Sequence, residues 1–247
     1  MTTPTPARRA RLWAVSGAAV LIAGIAALVI GAVVNGNQTQ RAPMPSASAS
    51  TRAETPAKPE PARTAAVVDE SARDQGWVPE PITTDAEAYI RSAVSAAGTF
   101  DTQKSEYEDW IQYLGTWFTP DTRYASESDR QGELDAAKLE MRQGVVLPQS
   151  EWDSLAGERG RVSAVVVGEV SLRAVPQDDS EDMSIGTADV AITYTRSDGQ
   201  GAEVYYDEST RLSVQVLCGA GSVPAPDSSQ SVGDCKVVRF FTEPLEP

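Results

Sequence analysis

The residues best suited to chemistry in this chain are two cysteines and a group of carboxylates, because the sequence contains no histidine. Histidine is the commonest general base, and the Ser-His-Asp and Cys-His arrangements require it, so those mechanisms are excluded. The sequence also lacks a Ser-x-x-Lys motif, a Walker phosphate loop and a G-x-G-x-x-G motif. We therefore predict that the protein is not an enzyme and has no catalytic, cofactor-binding or metal-binding residues.

The two cysteines, Cys218 and Cys235, stand at the end of one strand-like run and the start of the next. The residues between them are rich in turn formers: Gly219, Gly221, Pro224, Pro226, Asp227 and Gly233. In a domain outside the cytoplasm such a pair is expected to form a disulfide, which contributes roughly 3 kcal/mol in the chain-entropy model. The alternative is two free buried thiols. Two cysteines without a histidine fall short of the usual zinc ligand set.

The densest group of carboxylates is Asp178, Asp179, Glu181 and Asp182. Carboxylate oxygens are the ligands that Ca²⁺ prefers, but this spacing does not match an EF-hand loop. The group lies in a predicted loop between two strands. Calcium binding and a simple hydrated loop are therefore both possible interpretations, and the second requires no further assumption.

The strands that flank these residues are indicated by a period of two that begins at Arg161. Alternating apolar residues predict strands around 162–172 and 188–194, and Ser197–Gly201 is typical of a hairpin connection. The next strand includes Val204 and Tyr206 and resumes through Leu212. A last strand contains Val237, Val238, Phe240 and Phe241. Consecutive strands with short turns predict a mostly antiparallel sheet.

Helices precede the sheet. Thr84 and Glu87 fit a capping box, and a second helix is expected to begin at Ser105 and to stop at Pro120. A third, weaker helix is expected over 129–141. The second helix carries the clearest apolar stripe, which predicts a core-facing surface: Tyr107, Trp110, Ile111, Leu114, Trp117 and Phe118. Helices first and strands after predict an α+β domain at 84–247, with one face of the sheet packed on this aromatic helix.

An uncharged apolar run extends from Leu12 to Val34, directly after Arg8, Arg9 and Arg11. As a helix it would be about 35 Å long, enough to cross a bilayer core of about 30 Å. The arginines favour the cytoplasmic side, which predicts a single-pass plasma-membrane protein with a cytoplasmic tail at 1–11 and its C-terminal domain outside. We assign the anchor and its small-residue ridge to Leu12, Trp13, Ala19, Ala23, Ala27, Gly31 and Val34.

Two alternatives remain for this run. A cleaved signal peptide would have a shorter apolar core and a small-x-small site, whereas this run ends Ala32-Val33-Val34-Asn35. The ridge of small residues could let another membrane helix approach closely, or it could face lipid alone. Residues 35–83 are rich in Pro, Ala, Ser and Thr and contain little apolar surface, which predicts a disordered stalk.

The charge of the chain limits its partners. All 35 acidic residues follow the apolar run, and the formal net charge of the whole chain is −14. An acidic surface keeps a domain soluble and repels nucleic acid and anionic lipid. We therefore expect other membrane-complex proteins and the bilayer itself as partners, and no nucleic acid.

The segment from Trp110 to Tyr124 is similar to the second-helix region of conjugal transfer proteins, the TcpC-like components of Gram-positive and actinobacterial type IV secretion systems. The runs Leu212–Cys218 and Asp234–Phe241 resemble their C-terminal hairpin. This resemblance covers roughly 84–243. It implies a membrane-anchored domain with a nuclear transport factor 2-like fold, a curved sheet that forms a cone with the helices, and an assembly role without catalytic residues.

Three functions follow as hypotheses. The first is a non-enzymatic scaffold in a conjugative or type IV secretion-like complex, which could form homo-oligomers through its transmembrane helix or its sheet. The second is an accessory protein of a lipid or solute importer of the mammalian-cell-entry-associated type. The third is an envelope domain that binds a small ligand in the cone, although the aromatic stripe and the missing histidine favour a filled cone.

Overall fold

The computed structural model describes residues 66–245. The predicted cytoplasmic tail, the predicted transmembrane helix at 12–34 with its flanking arginines, and the first part of the stalk lie outside the described residues. Between residues 66 and 245, no helix combines the length and the apolar character that crossing a bilayer requires.

Four α-helices and one short 3₁₀ helix contribute to the domain. The 3₁₀ helix is Glu70–Arg73, and the α-helices are α1 Ala86–Ala96, α2 Tyr107–Gly115, α3 Glu127–Gly144 and α4 Gln149–Gly157. The Asp85 side chain caps α1 by accepting a hydrogen bond from the Ala88 N–H, and Ser126 caps α3 in the same way. The predicted third helix is thus two residues longer at its start and three longer at its end.

The second helix begins after Ser105 without a side-chain cap. The hydroxyl of Ser105 instead accepts a hydrogen bond from the indole Nε1 of Trp77, at 3.0 Å, and contacts the Asp101 carbonyl. The Ser105 hydroxyl, which was expected to cap the start of the helix, is therefore used in a tertiary contact. Helix α2 therefore begins at Tyr107, two residues later than predicted.

Five antiparallel strands form one sheet in sequence order. They are β1 Phe100–Asp101, β2 Arg161–Ala174, β3 Met183–Ser197, β4 Glu203–Leu217 and β5 Lys236–Phe241. The register of β3 with β4 is unbroken from Met183–Leu217 to Ser197–Glu203. Gly168, with a φ of 70°, lies in a bulge between Val167 and Ser171 of β2. The predicted α+β class, with helices packed on a curved antiparallel sheet, is confirmed.

Helix α1 packs directly on the sheet. Tyr89, Ile90 and Val94 are almost fully buried against it. Gly186 of β3 makes this close packing possible, because a Cβ atom there would lie 2.6 Å from Cδ1 of Ile90. The main core thus lies between the helices and one face of the sheet.

Residues 66–83 are not part of a disordered stalk, so this end of the predicted stalk is corrected. Val67 forms an antiparallel bridge with Pro81, and the Val68 N–H donates to the Glu80 carbonyl. Trp77 stacks on Tyr113 of α2 with ring centroids 4.8 Å apart. The buried Ala72 and the half-buried Trp77 pack this arm, residues 66–83, against the rest of the domain, which its composition did not predict.

The outer face of the sheet, opposite the helices, carries a second small core at one end. It consists of Val175, Met183, Ile185, Leu217 and Val238, with Phe241 and Leu245 packed against them. The chain after β5 turns across this face, where the Leu245 N–H donates to Ser213 Oγ at 2.9 Å. We call this part of the sheet, 183–190 with 212–217, the closed end.

The remaining parts of the same two strands form the open end, 191–197 with 203–211. Every residue from Glu203 to Arg211 is exposed, whereas Ser213 to Leu217 are all buried. Strand β4 therefore runs from a region covered on both faces to a region that is exposed, while residues 191–197 of β3 beside it are mostly half-buried.

Candidate interaction surfaces

The interior between helices and sheet is filled by aromatic rings. Phe100 stacks on Trp152 with centroids 4.2 Å apart, and Trp152 lies 5.4 Å from Trp110. Tyr107 completes the cluster at 5.6 Å from Trp152. Aromatic side chains bury large areas and favour such offset and tilted contacts. These four rings therefore pack on one another and fill part of the interior between the helices and the sheet.

The predicted apolar stripe supplies much of this core. Its six residues, Tyr107, Trp110, Ile111, Leu114, Trp117 and Phe118, are all buried. The last two lie beyond the end of α2, where the chain leaves the helix and Phe118 forms a parallel bridge with Val237. Phe118 also packs on Phe240, with the ring centroids 6.0 Å apart. The stripe therefore joins the helices to β5 and is a packing surface.

A buried polar network lies beside this junction. The carboxylate of Glu80 and the ammonium of Lys236 are each about 1 % exposed and are 2.8 Å apart. Tyr89 donates its hydroxyl to the same Glu80 oxygen at 2.6 Å, and Gln230 donates its amide at 3.2 Å. Lys236 also donates to the carbonyl of Thr116 at 2.8 Å. The network joins the arm, α1, α2, β5 and the connection that precedes β5.

Burial controls the protonation of this network. Burial raises the pKa of Glu80 above its ordinary value, and the neighbouring Lys236 charge opposes that effect. Burial lowers the pKa of Lys236, and Glu80 opposes it in turn. Burial and the Glu80 charge both raise the pKa of Tyr89. These groups face protein on every side, so we interpret them as a structural cross-link between distant segments, with no access for a substrate.

Sequence reasoning missed this network because Glu80 fell in the predicted stalk, 156 residues from Lys236. One signal was present. Lys236 is the single charged residue in the run Cys235–Val238 at the start of an apolar strand. Lysine is almost never fully buried unless it is paired, so a lysine at such a position indicates a buried partner.

Cys218 and Cys235 form a disulfide, with their Cα atoms 4.0 Å apart. It closes the connection 219–234 between β4 and β5. Within this connection Gln230 accepts a hydrogen bond from the Ala225 N–H at 2.8 Å while its amide reaches Glu80. The disulfide thus holds one side of the buried network in place.

An open apolar groove of about 650 Å³ lies between α2, α3 and the disulfide-closed connection. Two of its apolar side chains are about half exposed, Leu139 at 52 % and Val223 at 54 %. Lys138 and Arg142 line its α3 side, and Arg142 pairs with Glu108 across the helices. The groove is also lined by Ile111, Gln112, Gly115, Thr116, Phe118, Met141, Pro224, Ala225 and Pro226. The groove is therefore a candidate binding surface.

The open end of the sheet exposes three neighbouring apolar and aromatic side chains of β4. Val204 is 43 % exposed, Tyr205 74 % and Tyr206 42 %. On the face toward the helices, Tyr206 stacks on Tyr194 with centroids 4.6 Å apart and an interplanar angle of 3°. The guanidinium of Arg196 lies 5.8 Å from the Tyr206 ring centroid and pairs with Glu158, the residue directly after α4.

The predicted acidic group occupies the loop between β2 and β3. Asp178 accepts hydrogen bonds from the N–H groups of Ser180 and Met183 and from the Ser180 hydroxyl. Its carboxylate is therefore used to shape the loop, while Asp179 and Glu181 face solvent. Between residues 66 and 245, no group of three or more His, Cys, Asp or Glu side chains is arranged to hold a metal ion.

No protein-family model matches the chain, and no curated protein matches it. The chain is similar to several solved structures that are distant in sequence, including the following three. An IcmL-like type IV secretion system protein from Legionella pneumophila is 15% identical, with 65% of this chain and 91% of that chain covered and a TM-score of 0.36. CagV, a VirB8 homolog from Helicobacter pylori, is 14% identical, with 65% and 97% covered and a TM-score of 0.36. A periplasmic fragment of TraM is 16% identical, with 63% and 93% covered and a TM-score of 0.38. Likeness this distant establishes neither a family nor an activity for this chain.

Proposed function

We propose that this protein is a non-enzymatic scaffold of a conjugative or type IV secretion-like complex, anchored in the plasma membrane by Leu12–Val34 with its domain outside. The aromatic filling of the cone carries the proposal. Phe100, Trp110 and Trp152 stack on one another in the interior between the helices and the sheet, which supports a cone filled by side chains. The binding capacity of the domain then resides on its outer surfaces.

Two further observations support this role. The resemblance of Trp110–Tyr124 and of the C-terminal strands to conjugal transfer proteins points to an assembly component. The run of small residues in the anchor offers a surface along which membrane helices could associate. The domain is also strongly cross-linked at its closed end by the Cys218–Cys235 disulfide and the Glu80–Lys236 pair. Such cross-links suit a rigid element of an assembly.

The decisive experiment deletes the gene in the organism that encodes it and measures transfer frequency. We expect transfer or secretion to be lost and to return with the full-length gene. After crosslinking of intact membranes, the protein should be found in a large complex that contains a transfer ATPase. A monomeric protein with no transfer defect would end the proposal. Co-purification with a solute permease would instead select the importer role.

The contribution of the anchor ridge is tested by a matched pair of substitutions. Ala23→Leu keeps the run apolar but blocks the ridge, whereas Ile22→Leu changes the neighbouring residue and leaves the ridge intact. We expect both variants to remain in the membrane and only Ala23→Leu to reduce crosslinked oligomers. Equal crosslinking of the two variants would assign self-association to another surface or exclude it.

A second candidate function is favoured by the groove between α2 and α3. Its volume of about 650 Å³ and its apolar lining fall in the range of small-molecule sites. An apolar envelope molecule could lie there with its polar end at Lys138. Mass spectrometry of the protein purified under native conditions would detect a bound molecule, and Leu139→Glu should release it. A protein that is free of any ligand after gentle purification would exclude this candidate.

A further inference from the structure

One edge of the sheet is unpaired along most of a strand. Strand β4 pairs with β3 over its whole length, but β5 covers only Ser213–Leu217. Among residues 66–245, no backbone pairs with the other edge of 203–211. The reason is local, because β5 ends at Phe241 and the chain then turns onto the outer face before Pro244.

The register fixes which backbone groups face this free edge. The N–H of Asp198 donates to the carbonyl of Ala202 at one end of the hairpin, and the N–H of Cys218 donates to Asp182 at the other. Antiparallel pairs alternate between bonded and non-bonded, so the even-numbered residues of β4 bond to β3. The odd-numbered residues, Glu203, Tyr205, Asp207, Ser209 and Arg211, therefore turn their N–H and C=O groups outward.

This edge lacks most of the devices that proteins use to block strand addition. It is long, its register with β3 has no bulge, and it exposes Val204, Tyr205 and Tyr206. Its protection consists of charge. Asp207 and Glu208 lie at the centre of the edge. The charge of Glu203 is neutralised by Arg161, whose guanidinium lies 2.6 Å from the Glu203 carboxylate. Arg211 is engaged with Asp189 at 3.8 Å.

The charge at the centre of the edge selects the partner. Next to Glu208, burial first and then the charges of Glu208, Glu151 and Glu158 raise the pKa of Tyr206, with Arg196 opposing them. Glu208, Glu151 and Glu158 thus place negative charge close to Tyr206 and the edge. A second copy of this edge in full antiparallel overlap would place Asp207 opposite Asp207, and like charges directly opposite are destabilising. Lysine or arginine side chains on an added strand would instead be attracted.

We propose that the free edge of β4 at 203–211 binds an extended polypeptide segment that carries lysine or arginine, as an added sixth strand. Main-chain hydrogen bonds to the odd-numbered residues supply the pairing, as in other cases of strand addition. Tyr205 and Asp207 contact the segment's side chains on the outer face, and Tyr206 and Glu208 contact those on the face toward the helices. The inference deepens the proposed scaffold role and rests on it for its biological meaning.

The test uses the full-length protein in nanodiscs of zwitterionic lipid and three synthetic nine-residue peptides. One peptide alternates valine with lysine, one alternates valine with glutamate, and one is the lysine peptide with proline at two central positions. Amide exchange is followed by NMR. We expect the lysine peptide to slow exchange at Tyr205, Asp207 and Ser209 by at least tenfold and to leave Val204, Tyr206 and Glu208 unchanged, because those amides are already bonded to β3.

Variants separate charge from strand addition. Asp207→Asn with Glu208→Gln should weaken lysine-peptide binding at least tenfold, whereas the matched pair Asp179→Asn with Glu181→Gln in the β2–β3 loop should leave it unchanged. Ser209→Pro removes an outward N–H that the folded protein does not use, so it should fold normally and lose binding. Ser209→Thr is its control.

Several outcomes would overturn the inference. Equal binding of the glutamate or proline peptide would do so, and so would binding without slowed exchange at alternate residues. Concentration-dependent protection of Tyr205 and Asp207 without peptide would assign the edge to a second copy of the chain. These results are independent of the transfer assay, because loss of transfer on gene deletion would still support the scaffold role if the peptides failed to bind.

Discussion

The two ends of strand β4 differ more than any other neighbouring regions of this domain. At the closed end, Leu212–Leu217 are apolar or hydrogen-bonded and lie between the helices and the second small core. At the open end, Glu203–Arg211 are exposed on both faces. One continuous strand thus belongs to a core along part of its length and to a surface along the rest.

The difference between the two ends shows which elements cover the faces and the edge of a sheet, and where the edge is left unpaired. The closed end is covered by α1 on one face and by Leu245 on the other, and β5 occupies its edge. The open end has charged residues in place of these covers. Proteins often protect an edge strand with charge, and such an edge accepts only a partner that complements it. We therefore expect stability to be concentrated at the closed end, and the proposed recognition at the open end.

The largest effect is expected where a single change breaks the closed end. Lys236→Met keeps the length of the side chain and leaves Glu80 buried without its counter-ion. Removing one partner of a buried pair costs about 3–5 kcal/mol. We expect this loss in the free energy of unfolding, measured by urea denaturation of the full-length protein in detergent.

The control for this variant is Lys104→Met, since Lys104 is exposed and its removal should cost less than about 0.5 kcal/mol. The double variant Glu80→Gln with Lys236→Met removes both charges and keeps an acceptor for Tyr89. It should recover at least half of the stability that Lys236→Met loses. A Lys236→Met protein as stable as the wild type would show that the pair does not hold the closed end together.

A smaller effect is expected from the disulfide. Cys218 and Cys235 are 17 residues apart, and a bridge that closes a loop of this size contributes about 3 kcal/mol in the chain-entropy model, commonly less in practice. Cys218→Ala with Cys235→Ala should therefore shift the urea midpoint down. Reductant should have the same effect on the wild type and none on the double variant. If reduction leaves the midpoint of the wild type unchanged, the bridge is not stabilising.

The closed end and its surroundings were partly predictable from sequence. The predictions that failed there have identifiable physical causes. The stripe on α2 and the turn formers between the cysteines predicted a packed helix and a bridged connection, because both signals are local. The Glu80–Lys236 pair was missed because the two residues are far apart in sequence, and the arm was assigned to the stalk on composition. Buried contacts of Trp77 and Ala72 outweigh that composition.

The open end shows a different limit. The sequence predicted a strand that includes Val204 and Tyr206 and resumes at Leu212, with an interruption at the polar residues between them. In the structure the strand is continuous through Asp207 and Glu208. Because this part of β4 is exposed on both faces, alternation of apolar and polar residues is not required there. The pattern that identifies half-buried strands therefore fails for an exposed edge.

The difference in burial between the two ends of β4 can be measured by replacing a valine with alanine at each end. Val204 and Val214 lie on the same face of the same strand, yet Val214 is fully buried and Val204 is 43 % exposed. Val214→Ala removes two buried methyl groups and should cost about 2 kcal/mol. Val204→Ala should cost less than about 0.5 kcal/mol. Equal losses in urea denaturation would show that the open end is covered in solution.

The smallest expected effect concerns Asp178, a carboxylate in the β2–β3 loop next to the closed end. Burial by itself would raise the pKa of Asp178, but the hydrogen bonds from Ser180 and the Met183 N–H, together with the charge of Arg123, lower this pKa below its ordinary value of 3.8. A lowered pKa in the folded state stabilises the protein above the unfolded value, and this contribution is lost as the pH falls through the folded value. The stability difference between wild type and Asp178→Asn should therefore be constant above about pH 5 and shrink below pH 3.8.

The matched variant is Asp179→Asn, one residue away in the same loop, where the side chain is exposed to solvent. It should show no such pH-dependent difference from the wild type. Because Asp178 is largely exposed, solvent screens its interactions, and the effect should be well below that of Val214→Ala. Identical pH profiles for the two variants would mean that Asp178 does not hold the loop in place.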